Sequence, residues 1–327
     1  MINIERYYKC VDVQSEHDAL FSVIIPILTG LLYSLDRDLV RQANGYDNIS
    51  LKMLTRLYTE GDGDVGICFE YAVHDAIVNR EPSVLDRVDT ALTKYCRIKN
   101  GDPTSILFGA EKNGAIQLID SVTKHLTDDS RLLTGNVGKP IKLKKHIQGV
   151  VNAFRKPSEI SKLPNSINGL WKADLFVGKT EPDQWVGATV KVNKKQLEAA
   201  NGLRLAIVPA KPLKNDKILL DETKNLVVCP MPYDGSFVEL FYQGWRIVKA
   251  FFNAGAKMPK ENILPSGLER IVCKELVKRA QYPVCDVLEA LEVFKQPHLV
   301  KTSTSGVSVD SDEPPVLQTL IAPSSFE

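Results

Sequence analysis

The sequence predicts an α/β protein whose core runs helix, mixed sheet with a hairpin, short helix and strand, with further helical segments added around it. Three observations carry the prediction. Segments 170–177 (Leu-Trp-Lys-Ala-Asp-Leu-Phe-Val) and 185–192 (Trp-Val-Gly-Ala-Thr-Val-Lys-Val) are rich in β-branched and aromatic residues, and the connection 178–184 holds a glycine and a proline, which suits a hairpin. Residues 203–209 (Leu-Arg-Leu-Ala-Ile-Val-Pro) are mostly apolar, the pattern of a strand covered on both faces. Between them, 193–200 is a good helix former, closed by Asn201-Gly202 where a helix C-cap belongs.

Taken in chain order, residues 19–35 carry no charge over 17 positions, short of the ~20 apolar residues of a spanning helix. They contain Pro26 and Gly30, so a buried helix or helix pair is expected rather than a membrane anchor. The run begins only after Glu16-His17-Asp18 and lacks a small-residue cleavage pattern, which argues against a signal peptide. Leu51, Leu54, Leu57 and Tyr58 mark an amphipathic helix over 46–60. Phe69, Val73, Ala76 and Ile77 follow helical spacing and place Glu70 in the first turns of the next helix. Its lead-in, Gly61-Asp62-Gly63-Asp64, lacks the spaced ligands of a calcium loop. His74 shares a face with Glu70 and is expected to be packed or capping rather than a ligand. Helices are also expected over 84–98, 114–126, 237–252, 261–280 and 284–295, and a strand over 226–230.

From Lys301 the chain turns to Ser, Thr, Asp and Pro, the composition of a disordered tail, within which 316–322 is a candidate partner-binding segment. The expected organisation is a helical segment 1–60, a core 61–215 with a helical and basic insertion at 84–168, an α/β to helical region 216–299, and the tail 300–327.

Composition narrows the class without choosing a chemistry. A length of 327 residues has room for about two domains at ~100–200 residues each. A net charge of +1 excludes a globally basic protein that coats nucleic acid. Six cysteines without a Cys-x-x-Cys pair argue against a zinc knuckle or disulfide framework and favour a reducing, cytoplasmic setting. No phosphate-binding Gly-x-x-x-x-Gly-Lys-Ser/Thr and no Gly-x-Ser-x-Gly elbow is present. One stretch is locally basic: Lys139, Lys142, Lys144, Lys145, Arg155, Lys156, Lys162 and Lys172 stand against a single acid, Glu159. Such a patch binds phosphate backbones through counterion release. The competing reading is a solvated surface balanced by acids such as Asp128 and Asp129.

Asp174 on the first hairpin strand and Lys191 on the second put a carboxylate and an ammonium side by side at one rim of a sheet. Metal-dependent phosphodiester cleavage uses that pairing, the carboxylate on the cation and the lysine on the water or the phosphate charge. Glu70, Asp174 and Lys191, the segment Gly66-Ile67-Cys68-Phe69-Glu70 and Gln196 five residues after the lysine together resemble the PD-(D/E)xK nuclease superfamily. The resemblance implies a restriction-endonuclease-like core within 60–210 and a DNA endonuclease using Mg2+ or Mn2+. It implies Glu70 and Asp174 as metal ligands with the Val190 carbonyl, and Lys191 as the group that positions water, with Gln196 in support. A depressed Lys191 pKa would suit that role. It also implies DNA as partner, and defence against foreign DNA as the setting.

The sequence departs from the pattern at Thr189-Val190-Lys191, where the strand lacks its second acid. Glu198 is the first candidate to replace it and Asp183 the second. Any ATP-driven step requires a partner subunit such as an ATPase or helicase, and assembly into a homo-oligomer is open. Two other readings remain: a degenerate nuclease fold that binds nucleic acid or a partner without cutting, and an unrelated α/β adaptor with a surface ion pair. Convergence of Glu70, Asp174 and Lys191 at one sheet rim separates the last from the others.

Overall fold

The computed structural model describes residues 4–58, 64–108, 125–133, 140–163, 173–199, 202–211, 216–233 and 236–295. All but the last two residues of the uncharged stretch 19–35 lie within α1 (Ile4–Tyr33), one helix of 30 residues whose positions 19, 20, 21, 24, 27, 28, 31 and 32 are closed off from solvent. It packs on α4 (Asp64–Val78), α7 (Phe237–Asn253), α8 (Gly267–Lys278) and α9 (Val284–Glu292). Gly244 of α7 permits the approach, because a Cβ there would meet Val23 Cγ2 at 2.8 Å. The apolar stretch is therefore enclosed by protein, and no helix among the described residues is long and apolar enough to cross a membrane.

The helices α2 (Arg37–Gln42), α3 (Leu51–Leu57) and α5 (Pro82–Thr90) complete the N-terminal half. The expected helices 46–60 and 84–98 are thus shorter, and a single turn of π-helix (Ala91–Tyr95) follows α5. Residues 114–126 fall almost wholly outside the described segments, as does the tail from 300.

An open mixed sheet forms the other half of the core. Its strands are β1 (Pro103–Leu107), β2 (Arg131–Leu132), β3 (Ile141–Lys142), β4 (Leu175–Lys179), β5 (Gln184–Val190), β6 (Arg204–Pro209), β7 (Leu219–Asp221) and β8 (Leu226–Met231). The order is β1-β4-β5-β6-β8-β7, with β2 beside the start of β5 and paired to β3. The β1-β4-β5 pairs are antiparallel, β5-β6-β8 are parallel and β7 closes the far edge antiparallel.

Both faces are covered, which is why β4, β5 and β6 are apolar at nearly every position. Leu175, Val177, Val186, Ala188, Val190, Leu205 and Ile207 join the core shared with the helices. Phe176 and Trp185 alternate to the opposite face, where they meet Phe108, Leu132, Ile147 and Ala153 under α6 (Leu143–Arg155). On the same face Leu197 packs with Ala206, Val208, Leu226 and Val228.

Among the described residues the first hairpin strand begins at Leu175, while 170–172 of the expected segment lie outside them; the strands continue through Gly178 and Gln184, so the connection shrinks to a tight turn. Asp183 in that turn holds a φ of 56°. Its carboxylate accepts from Thr127 Oγ1 (2.6 Å), Ser130 Oγ (2.7 Å) and Trp185 Nε1 (2.8 Å). Burial alone would raise the Asp183 pKa, and the three donors reverse this and hold it below the ordinary value. Asp183→Ala strands the Trp185 and Ser130 donors at about 1–3 kcal/mol each when buried. The urea midpoint is expected to fall accordingly, with Asp183→Asn recovering part of the loss.

The helix expected over 193–200 is a single 3-10 turn, Lys194–Gln196, capped by the Asn193 side chain on the Lys195 amide (3.0 Å). Residues 193–196 are exposed and only Leu197 is buried. A segment this short with one apolar anchor has no face to pack, and isolated helices of that length are not stable in water.

Candidate active site

Helix α4 buries Cys68, Phe69, Ala72 and Val73 against the core, which leaves Glu70 on the flank facing the rim of the sheet. Asp174 precedes β4 and is fixed by both neighbouring strands. Its amide donates to the Ala188 carbonyl (2.8 Å) and its carbonyl accepts from Phe108 (2.8 Å). Lys191 follows β5, its amide donating to the Ile207 carbonyl at 3.0 Å. The three side chains converge. Lys191 Nζ lies 3.1 Å from Asp174 Oδ2 and 3.4 Å from Glu70 Oε1.

Asp174 is oriented from one side only. Besides Lys191, Oδ2 accepts from the Val190 amide (2.8 Å) and from Thr189 Oγ1 (3.1 Å). Among the described residues its other oxygen, Oδ1, takes no hydrogen bond. The Lys191 side chain is 32% exposed, whereas Glu70 and Asp174 are 13% and 15% exposed, so the cluster opens on one side. Burial would lower the Lys191 pKa, but the Asp174 and Glu70 carboxylates outweigh it and hold the pKa above the ordinary lysine value. Of the two opposed influences expected on this lysine, the carboxylates outweigh the burial, because both lie within hydrogen-bond reach of the ammonium.

The other expected site residues divide. Val190 ends β5 beside the cluster, with its amide committed to Asp174. Gln196 is exposed on the 3-10 turn and makes no side-chain hydrogen bond to Glu70, Asp174 or Lys191 among the described residues. The helix face that would have turned it inward does not form. Glu198 is exposed in the connection to β6. Asp183 is excluded as a replacement acid, since it occupies the closed end of the hairpin while Asp174 and Lys191 flank the open end. The seven residues of β5 put about 20 Å between these ends.

In the basic stretch, Lys142 pairs with Asp129 (3.1 Å) and Lys144 with Asp128 (3.0 Å), as the competing reading expected. Lys145 and Lys156 are exposed, and Lys162 pairs with Glu159. Lys139, Lys172 and the side chain of Arg155 lie outside the described residues. Lys142 belongs to β3, reached through β2 from the closed end of the hairpin, so this part of the stretch lies away from Lys191.

Two participants were not singled out from the sequence. Thr189, read there only as a missing acid, hydrogen-bonds Asp174. Arg204, at the head of β6, is 6% exposed. Burial lowers its pKa, and the Asp174 and Glu198 charges oppose that shift. The available signal was a lone charge inside an otherwise apolar strand.

One turn along α4, His74 Nδ1 lies 3.0 Å from the buried Ser105 hydroxyl. Burial, then His125 and Lys295, push its pKa down to about 4 from 6.5. A depressed histidine contributes stability that is complete above 6.5 and is lost as pH falls toward 4, on the order of 3 kcal/mol at most. The chemical-denaturation midpoint is expected to drop across that window, and His74→Gln to flatten the drop.

Among the described residues no three histidine, cysteine or acidic side chains assemble into a ready cation cage. The rim instead offers two carboxylates and an unengaged Asp174 Oδ1. That donor set fits a magnesium site, since Mg2+ keeps several waters and commonly takes one or two protein carboxylates. Comparison with known proteins finds no matching family model, no matching curated protein and no matching solved structure.

Proposed function

We propose that this protein is a metal-dependent endonuclease that hydrolyses DNA phosphodiester bonds on a restriction-endonuclease-like core. The observation that carries the proposal is the meeting of Glu70, Asp174 and Lys191, brought from a helix and two strands across 121 sequence positions to one opening. The order of elements adds support: a glutamate-bearing helix, three antiparallel strands and then a parallel strand after a short connection. Defence against foreign DNA, as the setting, rests on the sequence resemblance alone.

Glu70 and Asp174 would hold the cation, Asp174 through the oxygen that its three donors leave open. A bound Mg2+ supplies Lewis-acid polarisation of a phosphate oxygen and a lowered water pKa. Thr189 and the Val190 amide keep the Asp174 carboxylate in one orientation, so little reorganisation accompanies binding. Lys191 acts as an ammonium that offsets charge building on the phosphate in the transition state.

One observation favours a second reading, a nuclease fold that binds without cutting. Thr189 stands where a carboxylate would be, and Lys191 already neutralises the two acids that remain. Incubating supercoiled plasmid with the full chain in Mg2+, Mn2+ or Ca2+ separates the readings. Nicking in Mg2+ or Mn2+, with a gel shift in Ca2+, is expected. A gel shift without nicking in any metal would establish the binder, and neither would sink both.

A further inference from the structure

We propose that the free edge of β7 is a self-association surface, on which a second copy of this chain pairs antiparallel about Leu219. The proposal does not depend on the nuclease reading and concerns the outer edge of the sheet rather than the rim.

Three observations carry it. The first is apolar exposure at an open edge. β7 pairs with β8, and no strand among the described residues takes its other side. Leu219 and Leu220 are 43% and 41% exposed, and among the described residues they are the only large apolar side chains of the sheet that are exposed. An edge strand with free backbone groups and apolar side chains is a template for another strand.

The second is the face each residue takes. Leu219 pairs with Val228, which packs on the Leu197 side of the sheet, and Leu220 pairs with Val227 of the helix-side core. By alternation Lys217 and Asp221 share the face of Leu219, and Ile218 shares that of Leu220. Ile218 packs against the helix-side core accordingly, and its carbonyl accepts from the Tyr95 hydroxyl at 2.8 Å. That bond holds this end of the edge in place.

The third is the order of the charges. Residues directly opposite in an antiparallel pair share a face, so a two-fold axis must pass at a residue rather than between two. Centred on Leu219, it sets Leu219 against its copy, Ile218 against Leu220, and Lys217 against Asp221. An axis on Ile218 or Leu220 would set a charge against an aliphatic side chain instead. Lys217 is exposed and forms no ion pair among the described residues. Asp221 Oδ1 accepts from Thr223 Oγ1 (2.6 Å) and the Lys224 amide (3.1 Å), and its Oδ2 takes no hydrogen bond among the described residues. Glu222 opens the turn that leads to β8 and lies beyond the paired stretch. Segment 217–221 is thus complementary to itself, with an opposite-charge pair at each end.

The test is sedimentation velocity of the full chain from about 1 to about 100 µM, the range in which so small an interface responds. Wild type is expected to pass from monomer to dimer across that range. Lys217→Asp and Asp221→Lys are each expected to weaken the dimer about 10-fold, because each turns both opposite-charge pairs into like-charge pairs. Mixing these variants is expected to restore wild-type affinity, since the mixed dimer regains both pairs. Leu219→Lys sets like charges against each other at the axis and is expected to leave a monomer. Circular dichroism checks folding, and Lys217→Asp and Leu219→Lys carry the test if Asp221→Lys fails to fold. A wild-type chain still monomeric at about 100 µM overturns the proposal and leaves the edge to another partner. A dimer that survives Leu219→Lys, or mixed variants no tighter than either alone, overturns it by placing the interface elsewhere.

Discussion

Lys191→Ala is expected to abolish detectable plasmid nicking, a loss of about 10²–10³-fold or more, the scale for removing a preorganised charge from a transition state. The same change exposes a second consequence that activity alone would not show. Lys191 Nζ bridges Asp174 and Glu70, and without it two partly buried carboxylates face each other uncompensated. Breaking a buried pair costs ~3–5 kcal/mol. Because Lys191 is about a third exposed, solvent screening cuts this to roughly 1–2 kcal/mol.

The loss is expected at neutral pH, as a lower urea midpoint in metal-free buffer. Added Mg2+ is expected to raise the melting temperature of Lys191→Ala more than that of wild type, since a cation then takes the place of the ammonium. Equal Mg2+ shifts in the two proteins would mean that the carboxylates do not share a cation. In the wild-type chain the raised Lys191 pKa makes the lysine's own contribution pH-dependent. Its contribution is complete below the unfolded lysine value of ~10.4 and disappears as pH rises through the higher folded value.

Thr189→Asp carries the second large effect. Thr189 is buried and its hydroxyl lies 3.1 Å from Asp174 Oδ2, so a carboxylate there meets a like charge at a mostly buried position. In metal-free buffer the variant is expected to lose about 1–3 kcal/mol of stability, the cost of a buried polar group left without a partner. With Mn2+ the direction reverses, because the strand regains the acid it lacks. Affinity is expected to rise about 10-fold, and the melting temperature to recover. A variant destabilised equally with and without Mn2+ would show that position 189 does not face a cation site.

The parts of this fold that follow from local chemistry were legible in the sequence. Segments 185–192 and 203–209 contain the strands Gln184–Val190 and Arg204–Pro209 because each is β-branched and apolar, and their order through the hairpin placed Asp174 and Lys191 at one rim. The spacing of Phe69 and Val73 put Glu70 on a helix. Its arrival beside Lys191 is a tertiary fact, made by α4 packing on β1 and β5. What local pattern missed was set by packing across the chain. β1 is an edge strand recognised only through its pairing with β4, and β2 and β3 are two residues each. The stretch after Lys191 has helical propensity, yet with Leu197 as its only buried side chain it stays a turn. Asp183 looked like a spare acid by sequence distance, and strand geometry sends it to the other end of β5. Arg204, a lone charge in an apolar run, is buried at the head of β6.

The most direct test of shared chemistry at the rim is a double-mutant cycle on nicking rate, using Glu70→Gln, Asp174→Asn and both together in saturating Mn2+. If the helix and the strand serve one cation, each single change removes most of the activity and the double variant is no slower than the worse single. A Glu70→Gln protein that nicks at the wild-type rate, or losses that multiply in the double variant, would contradict it.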